Sequence, residues 1–289
     1  MAATAAAQAC HHDLGPTFAA AVDGVERGEL DELDLSGGHI GDSGVAQLAR
    51  ALLSSPLARA TLEELHLATN DIGPAGAALL GEALRAASSS ALQELYLRGN
   101  RIGSEGAAHL AGALLADGGG GGGGSRLVLL DLAHNGIDAR GGAYLADALR
   151  SNRSLLRLGL HGNRLGTVGA AALAGALGTG ANGANGNSTL AWLNLHGNGV
   201  GNAGASALAS ALRTNGSLRI LDLGGANGIG GTEGFGAERA ILKLLARNAL
   251  GVSPRGRMAA FRIHRFWRDV CYDPAYAHAR ARVIRQLDT

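Results

Sequence analysis

Aromatic residues make up only 3% of this 289-residue chain, too few to wall a deep ligand pocket of the usual apolar and aromatic kind. Cysteine is scarcer still, with Cys10 and Cys271 near opposite ends. Two such residues make no disulfide framework, so a reducing, cytoplasmic setting is expected. Charge of one sign is also lacking. The formal net charge is +1, which gives no reason to expect nucleic acid as a partner. No apolar run of about 18 residues occurs, so no membrane span is expected. The first residues, MAATAAAQACHHDLGP, lack the basic start and apolar stretch of a secretory signal. What the chain does have is 46% hydrophobic residues and 47 glycines. A core of Leu and Ala with few rings suits a thin, repetitive interior.

The repetition is explicit. The pattern L-x-x-L-x-L-x-x-N-x-[IVL] begins at Leu30, Leu62, Leu92, Leu127, Leu155, Leu190 and Leu218. The shortest interval is 28 residues, and longer ones carry insertions. Leucines at template positions 4 and 6, such as Leu95 and Leu97, alternate with polar residues, the period of a half-buried strand. Position 9 holds Asn70, Asn100, Asn135, Asn163 and Asn198. A side-chain amide both donates and accepts, so it can satisfy backbone groups that a turn would otherwise bury unpaired. Glycine recurs at position 15 as Gly44, Gly76, Gly106, Gly141, Gly169 and Gly204, where tight backbone geometry is expected. The segment after it reads as a helix, with Leu110, Ala111 and Leu114 on one apolar face and Leu173, Ala174 and Leu177 repeating it. Strand, turn and helix in repetition predict a parallel sheet on one side and helices on the other.

These motifs resemble the ribonuclease-inhibitor-like class of leucine-rich repeats, as in the arrays of NOD-like receptors and of Ran GTPase-activating protein. The resemblance runs from Leu30 to about Arg247. It implies an α/β horseshoe of about seven repeats, with a concave parallel sheet, convex helices and protein ligands bound in the concavity. Two repeats depart from the pattern. Gly38 replaces the first asparagine, and Asn227 comes one place late in the seventh repeat. Both end units therefore read as irregular caps. The chain divides into 1–29, an N-terminal cap or flexible segment; 30–247, the solenoid; and 248–289, a basic, aromatic cap or tail. Within 1–29, Pro16 to Gly28 is expected to form one or two helical turns.

Two low-complexity inserts, Gly118–Gly124 and Gly178–Thr189, read as loops between a helix and the next strand. Neither is followed by the Lys-Ser/Thr of a phosphate-binding loop. From Ala249 to the end there are eight arginines and three aspartates. RMAAFRIHRFWRDVCYD reads as a basic amphipathic helix, serving either to cap the last repeat or to bind a partner or membrane surface.

No nucleophile lies in a recognisable motif and the carboxylates are scattered, so no catalytic residue, cofactor or metal is expected. Cys10-His11-His12 lacks the spaced second pair of a zinc site. His161 and His196 share position 7 in neighbouring repeats, beside His134 at position 8. They are expected to form a stripe of solvated surface histidines, with metal binding or a pH response near 6.5 as the alternative.

In this class positions 3, 5 and 7 face the concavity. The expected protein-binding residues are therefore Glu64, His66, Glu94, Tyr96, Arg98, Asp131, Arg157, His161, Trp192, Asn194 and His196. Early repeats are acidic there and later ones apolar, aromatic and basic. The expected function is a non-catalytic scaffold or adaptor, monomeric, with a protein partner. The alternative is a regulator that stimulates a small GTPase, by analogy with Ran GTPase-activating protein. The acidic tail of that family is absent here, where the tail is basic.

Overall fold

Seven three-residue strands line up in chain order as one parallel sheet. The computed structural model describes residues 15–86, 91–115, 126–179 and 186–249. The Cys10-His11-His12 cluster, the Gly118–Gly124 run, 180–185 of the second insert and the basic tail from Leu250 lie outside the described residues.

The strands are β1 (Glu32–Asp34), β2 (Glu64–His66), β3 (Glu94–Tyr96), β4 (Leu129–Asp131), β5 (Arg157–Gly159), β6 (Trp192–Asn194) and β7 (Ile220–Asp222). A helix precedes β1, α1 (Gly15–Glu26). It is longer than the one or two turns expected, and it buries Phe18, Val22 and Val25. Helices α2 (Gly41–Ser54) and α3 (Pro56–Thr61) follow β1. One helix follows each later strand: α4 (Pro74–Ala86), α5 (Gly103–Leu115), α6 (Ala139–Ser151), α7 (Gly166–Leu177), α8 (Gly201–Leu212) and α9 (Gly231–Ala249). The leucine spacing explains the layers. Leu65, Leu95, Leu130, Leu158 and Leu193, all at position 4, are buried at 1% exposure or less. They meet Leu80, Leu110, Leu145, Leu173 and Leu208 from the inner faces of the helices.

The asparagine ladder works as its residue type requires, and it reaches across repeats. Asn100 Nδ2 donates to Leu97 O in its own repeat and to Leu67 O in the one before, both at 2.8 Å. Its Oδ1 accepts from Asn70 N at 2.9 Å and Ile72 N at 3.0 Å, again in the repeat before. Asn163 repeats the pattern on Leu132, Leu160, Asn135 and Ile137. Each amide thus completes the turn of the preceding unit. Gly38 is tolerated because no described repeat stands before it, while its own turn is served by Asn70, whose Oδ1 accepts from Ile40 N. Asn227, one place late in sequence, still accepts from Asn198 N and Val200 N and donates to Leu195 O. The seventh repeat is irregular in spacing but regular in bonding.

Glycine at position 15 has a different cause from the one expected. These residues sit in the first turns of helices, and the reason for glycine is contact. A Cβ on Gly106 would lie 2.6 Å from Ile102 Cγ2, and one on Gly141 would lie 2.4 Å from Ile137 Cγ2. The left-handed backbone occurs at position 8 instead, in all seven repeats: Gly37, Thr69, Gly99, His134, Gly162, Gly197 and Gly225 all have φ between 54° and 74°. Glycine fits there without a Cβ clash, whereas Thr69 and His134 hold the same turn against a cost of roughly 1–2 kcal/mol each.

Candidate protein-binding face

Strict alternation along three residues places positions 3 and 5 of every strand on the sheet face opposite the helices. The parallel register then aligns them across the array. Glu32, Glu64, Glu94, Leu129, Arg157, Trp192 and Ile220 form one row. Asp34, His66, Tyr96, Asp131, Gly159, Asn194 and Asp222 form the other. Positions 3 and 5 therefore share one surface, and Arg157 stands directly beside Trp192.

The acidic end is built around two rings. His66 and Tyr96 stack with centroids 4.3 Å apart and planes 8° from parallel. The Tyr96 hydroxyl donates to Glu94 Oε2 at 2.5 Å. Burial, then the charge of Glu94 and the hydrogen bond to it, with smaller effects of Glu64 and Asp131, push the Tyr96 phenol far up. Tyr96 is held neutral, as a donor. On the other side of His66, Nε2 lies 3.7 Å from Glu32 Oε1 and 3.6 Å from Glu64 Oε2.

Position 5 also has a structural task that the sequence reading missed. Asp34, Asp131, Asn194 and Asp222 each accept, through Oδ1, from the backbone N–H two residues on. This local turn bond is what short Asp and Asn side chains make readily. Asn194 is buried at 2% exposure, so it shapes the face from beneath and offers little to a partner. The signal was present as D/N at position 5 in four of seven repeats.

The histidine stripe is brought together only in part. His134 and His161 meet edge to face, with centroids 4.9 Å apart and planes at 90°. His161 is buried at 5% exposure, which corrects the expectation that the stripe is solvated. His134 stays exposed, and its ring lies against Gly162, where an added Cβ would come within 2.3 Å of it. His196 is half-buried, with Nδ1 3.7 Å from Asp222 Oδ1. The three rings do not converge as metal ligands. Among the described residues the grouping with that geometry is Glu32, Glu64 and His66. Arg98, Arg157 and Trp192 are half-buried on the open face.

A second asparagine ladder, unforeseen from sequence, lies at the entry to the later strands. Asn187 Nδ2 donates to Leu149 O and Asn152 O, and its Oδ1 accepts from Thr189 N and Leu190 N. Asn215 does the same with Leu177 O, Asn187 O, Ser217 N and Leu218 N. The signal is N-x-[ST]-L before the strand: NRSL at 152, NSTL at 187 and NGSL at 215.

No helix among the described residues is long and apolar enough to cross a membrane. No curated protein matches the chain. Among solved structures, the actin-binding site 2 of leiomodin-1 is 15% identical, with a TM-score of 0.35 over 86% of this chain and 98% of that one. The tropomodulin C-terminal domain of Caenorhabditis elegans is 14% identical, with a TM-score of 0.34 over 82% and 96%. A family model described as leucine-rich repeat matches residues 30–49, 60–81, 88–111, 127–146, 151–174 and 186–209. With the single parallel sheet and its helical layer, those six matches show that the chain carries leucine-rich repeats and folds as a leucine-rich-repeat solenoid.

Proposed function

We propose that this chain is a non-catalytic scaffold or adaptor that recognises a protein partner through the concave face of its sheet. The repeat class proposed is the ribonuclease-inhibitor type, supported by a full α-helix after every strand from β2 onward. The observation that carries the functional reading is the alignment of seven strands in one register, which sets Arg157 beside Trp192 on an open row. Seven strands span about 29 Å, the scale of a protein interface rather than a metabolite. Tryptophan, tyrosine and arginine are the residue types that most often anchor such interfaces. The proposed setting is the cytoplasm, and the proposed state is a monomer.

The test compares wild-type chain with the double variant Trp192→Ala, Arg157→Ala in quantitative pull-downs from native extract, followed by direct titration of the partner recovered. Both side chains stand outside the core, so stability should change by about 0.5 kcal/mol or less per site. Affinity should fall by about 2 kcal/mol or more if they are anchors. Undiminished binding by a folded double variant moves the site off this row.

A further inference from the structure

We propose that Glu32, Glu64 and His66 form a binding site for a divalent transition-metal ion, best satisfied by Zn2+, on the open face of β1 and β2. The register makes Glu32 and Glu64 direct neighbours, and His66 is the next outward residue on β2. One donor atom from each lies within 4.8 Å of the others. His66 Nε2 is 3.7 Å from Glu32 Oε1 and 3.6 Å from Glu64 Oε2. Those gaps are too long for hydrogen bonds. They are close to the roughly 3.4 Å that separates two ligands held tetrahedrally on one zinc ion.

A second observation bears on the same point. Nε2 of His66 is closed to solvent and makes no hydrogen bond. A buried ring nitrogen in that position calls for a specific reason, and an ion between it and the two carboxylates supplies one. The imidazole is also held in place for the task, since it is stacked on Tyr96, whose hydroxyl is anchored on Glu94. Oriented ligands of this kind are what metal sites use. One imidazole with two carboxylates favours zinc and its first-row neighbours over magnesium or calcium, which take mainly oxygen. Glu32 is 43% exposed at its side chain, so the site opens toward the face where a fourth ligand, water or a group from a partner, would enter. The site stands on these three residues and does not depend on the protein-binding reading.

The test is a titration of the full-length chain with Zn2+ by calorimetry, with the histidine ring resonances followed by NMR. The parent chain carries Cys10→Ala, His11→Ala and His12→Ala, which removes a second cluster of zinc-binding residue types. One ion should bind and shift the His66 resonances, and excess Mg2+ should not displace it. Glu64→Gln and His66→Ala should each weaken binding by at least about tenfold. If His66→Ala fails to fold for want of the Tyr96 stack, Glu32→Gln, at an exposed position, should show the same loss. The proposal is overturned if the parent binds no Zn2+, or if the folded variants bind it as the parent does.

Discussion

Each strand of this solenoid lies between two turns, and the chain builds them by different rules. The turn leaving the strand is nearly constant, with a left-handed residue at position 8 and, from the second repeat on, a laddered asparagine one or two residues after it. The turn entering the strand varies. Before β2 it is the short helix α3, capped by Ser55, whose hydroxyl accepts from Ala58 N and donates to Glu26 O. Before β5, β6 and β7 it is a second asparagine ladder through Asn152, Asn187 and Asn215, extended by Asn248, which donates to Asn215 O and Leu218 O. The difference shows where the repeat tolerates change. Asn187 and Asn215 are each followed by an asparagine of the first ladder, Asn198 and Asn227, 11 and 12 residues on. By contrast, 17 residues separate Asn135 from Asn152 and 24 separate Asn163 from Asn187. Extra length enters before the second ladder, upstream of the strand, where the sheet register does not feel it.

The largest effects should come from the ladders themselves. Asn163→Ala removes four hydrogen bonds and leaves buried backbone groups of two repeats unsatisfied, an expected loss of about 4 kcal/mol. Asn215→Ala removes the same number of bonds to backbone, and contacts with the Ser217 hydroxyl, but exposes the half-buried amide of Ser217 to water, and should cost about 3 kcal/mol. Urea denaturation of both variants makes the comparison. A loss below about 1 kcal/mol at Asn215, beside a large one at Asn163, would demote the second ladder to decoration.

Position 8 allows a finer cut. Gly162→Ala combines a left-handed backbone with a Cβ that meets the His134 ring, and roughly 2–3 kcal/mol should be lost. Gly103, four residues past position 8 of its repeat, has φ +61° and open space around its missing Cβ, so Gly103→Ala should lose only about 1–2 kcal/mol. Thermal melts giving equal losses would mean that His134 moves aside without penalty.

The smallest expected effect concerns pH and the same contact. Partial burial of the His134 ring, then the charges of Arg98 and His196, hold its pKa below 6.5 in the folded chain. The unfolded chain takes up the proton first as pH falls. Stability is therefore full above about pH 6.5 and declines below it, down to the folded value. His134→Asn, which keeps a side chain tolerant of positive φ, should flatten the stability profile between pH 5 and 7. An unchanged slope would assign the effect to other groups.

Most of the fold is legible because it is written at fixed intervals. The leucines at positions 1, 4 and 6, the residue at 11 and the asparagine at 9 recur at constant offsets, and each offset reflects one backbone geometry. Legibility fails where one residue type serves two purposes. Glycine at positions 8 and 15 looks alike in sequence, yet one needs its φ and the other needs its missing Cβ. Asparagine at 152, 187 and 215 lies next to insertions, which hide its period. The open face is legible in its rows, since alternation alone sets Glu64, Glu94, Arg157 and Trp192 outward. Depth is not legible from alternation. Asn194 and His161 occupy outward positions and are nevertheless covered, because a turn bond holds one and the neighbouring His134 ring packs on the other.

An array in which each turn is completed by the unit behind it has a direction. Trimming it from the front removes a neighbour that lends this turn little: without the first repeat, Asn70 Nδ2 loses Leu35 O but keeps Ala68 O. Trimming from the back is another matter, because without Asn227 the amides of Asn198 and Val200 lose their shared acceptor. The transferable module therefore runs from just after one laddered asparagine through the next, out of phase with the leucine pattern that defines the repeat by eye. Units spliced at that boundary should extend or shorten the solenoid with every turn intact, and a chain lengthened at its C-terminal end must carry a closing asparagine of its own.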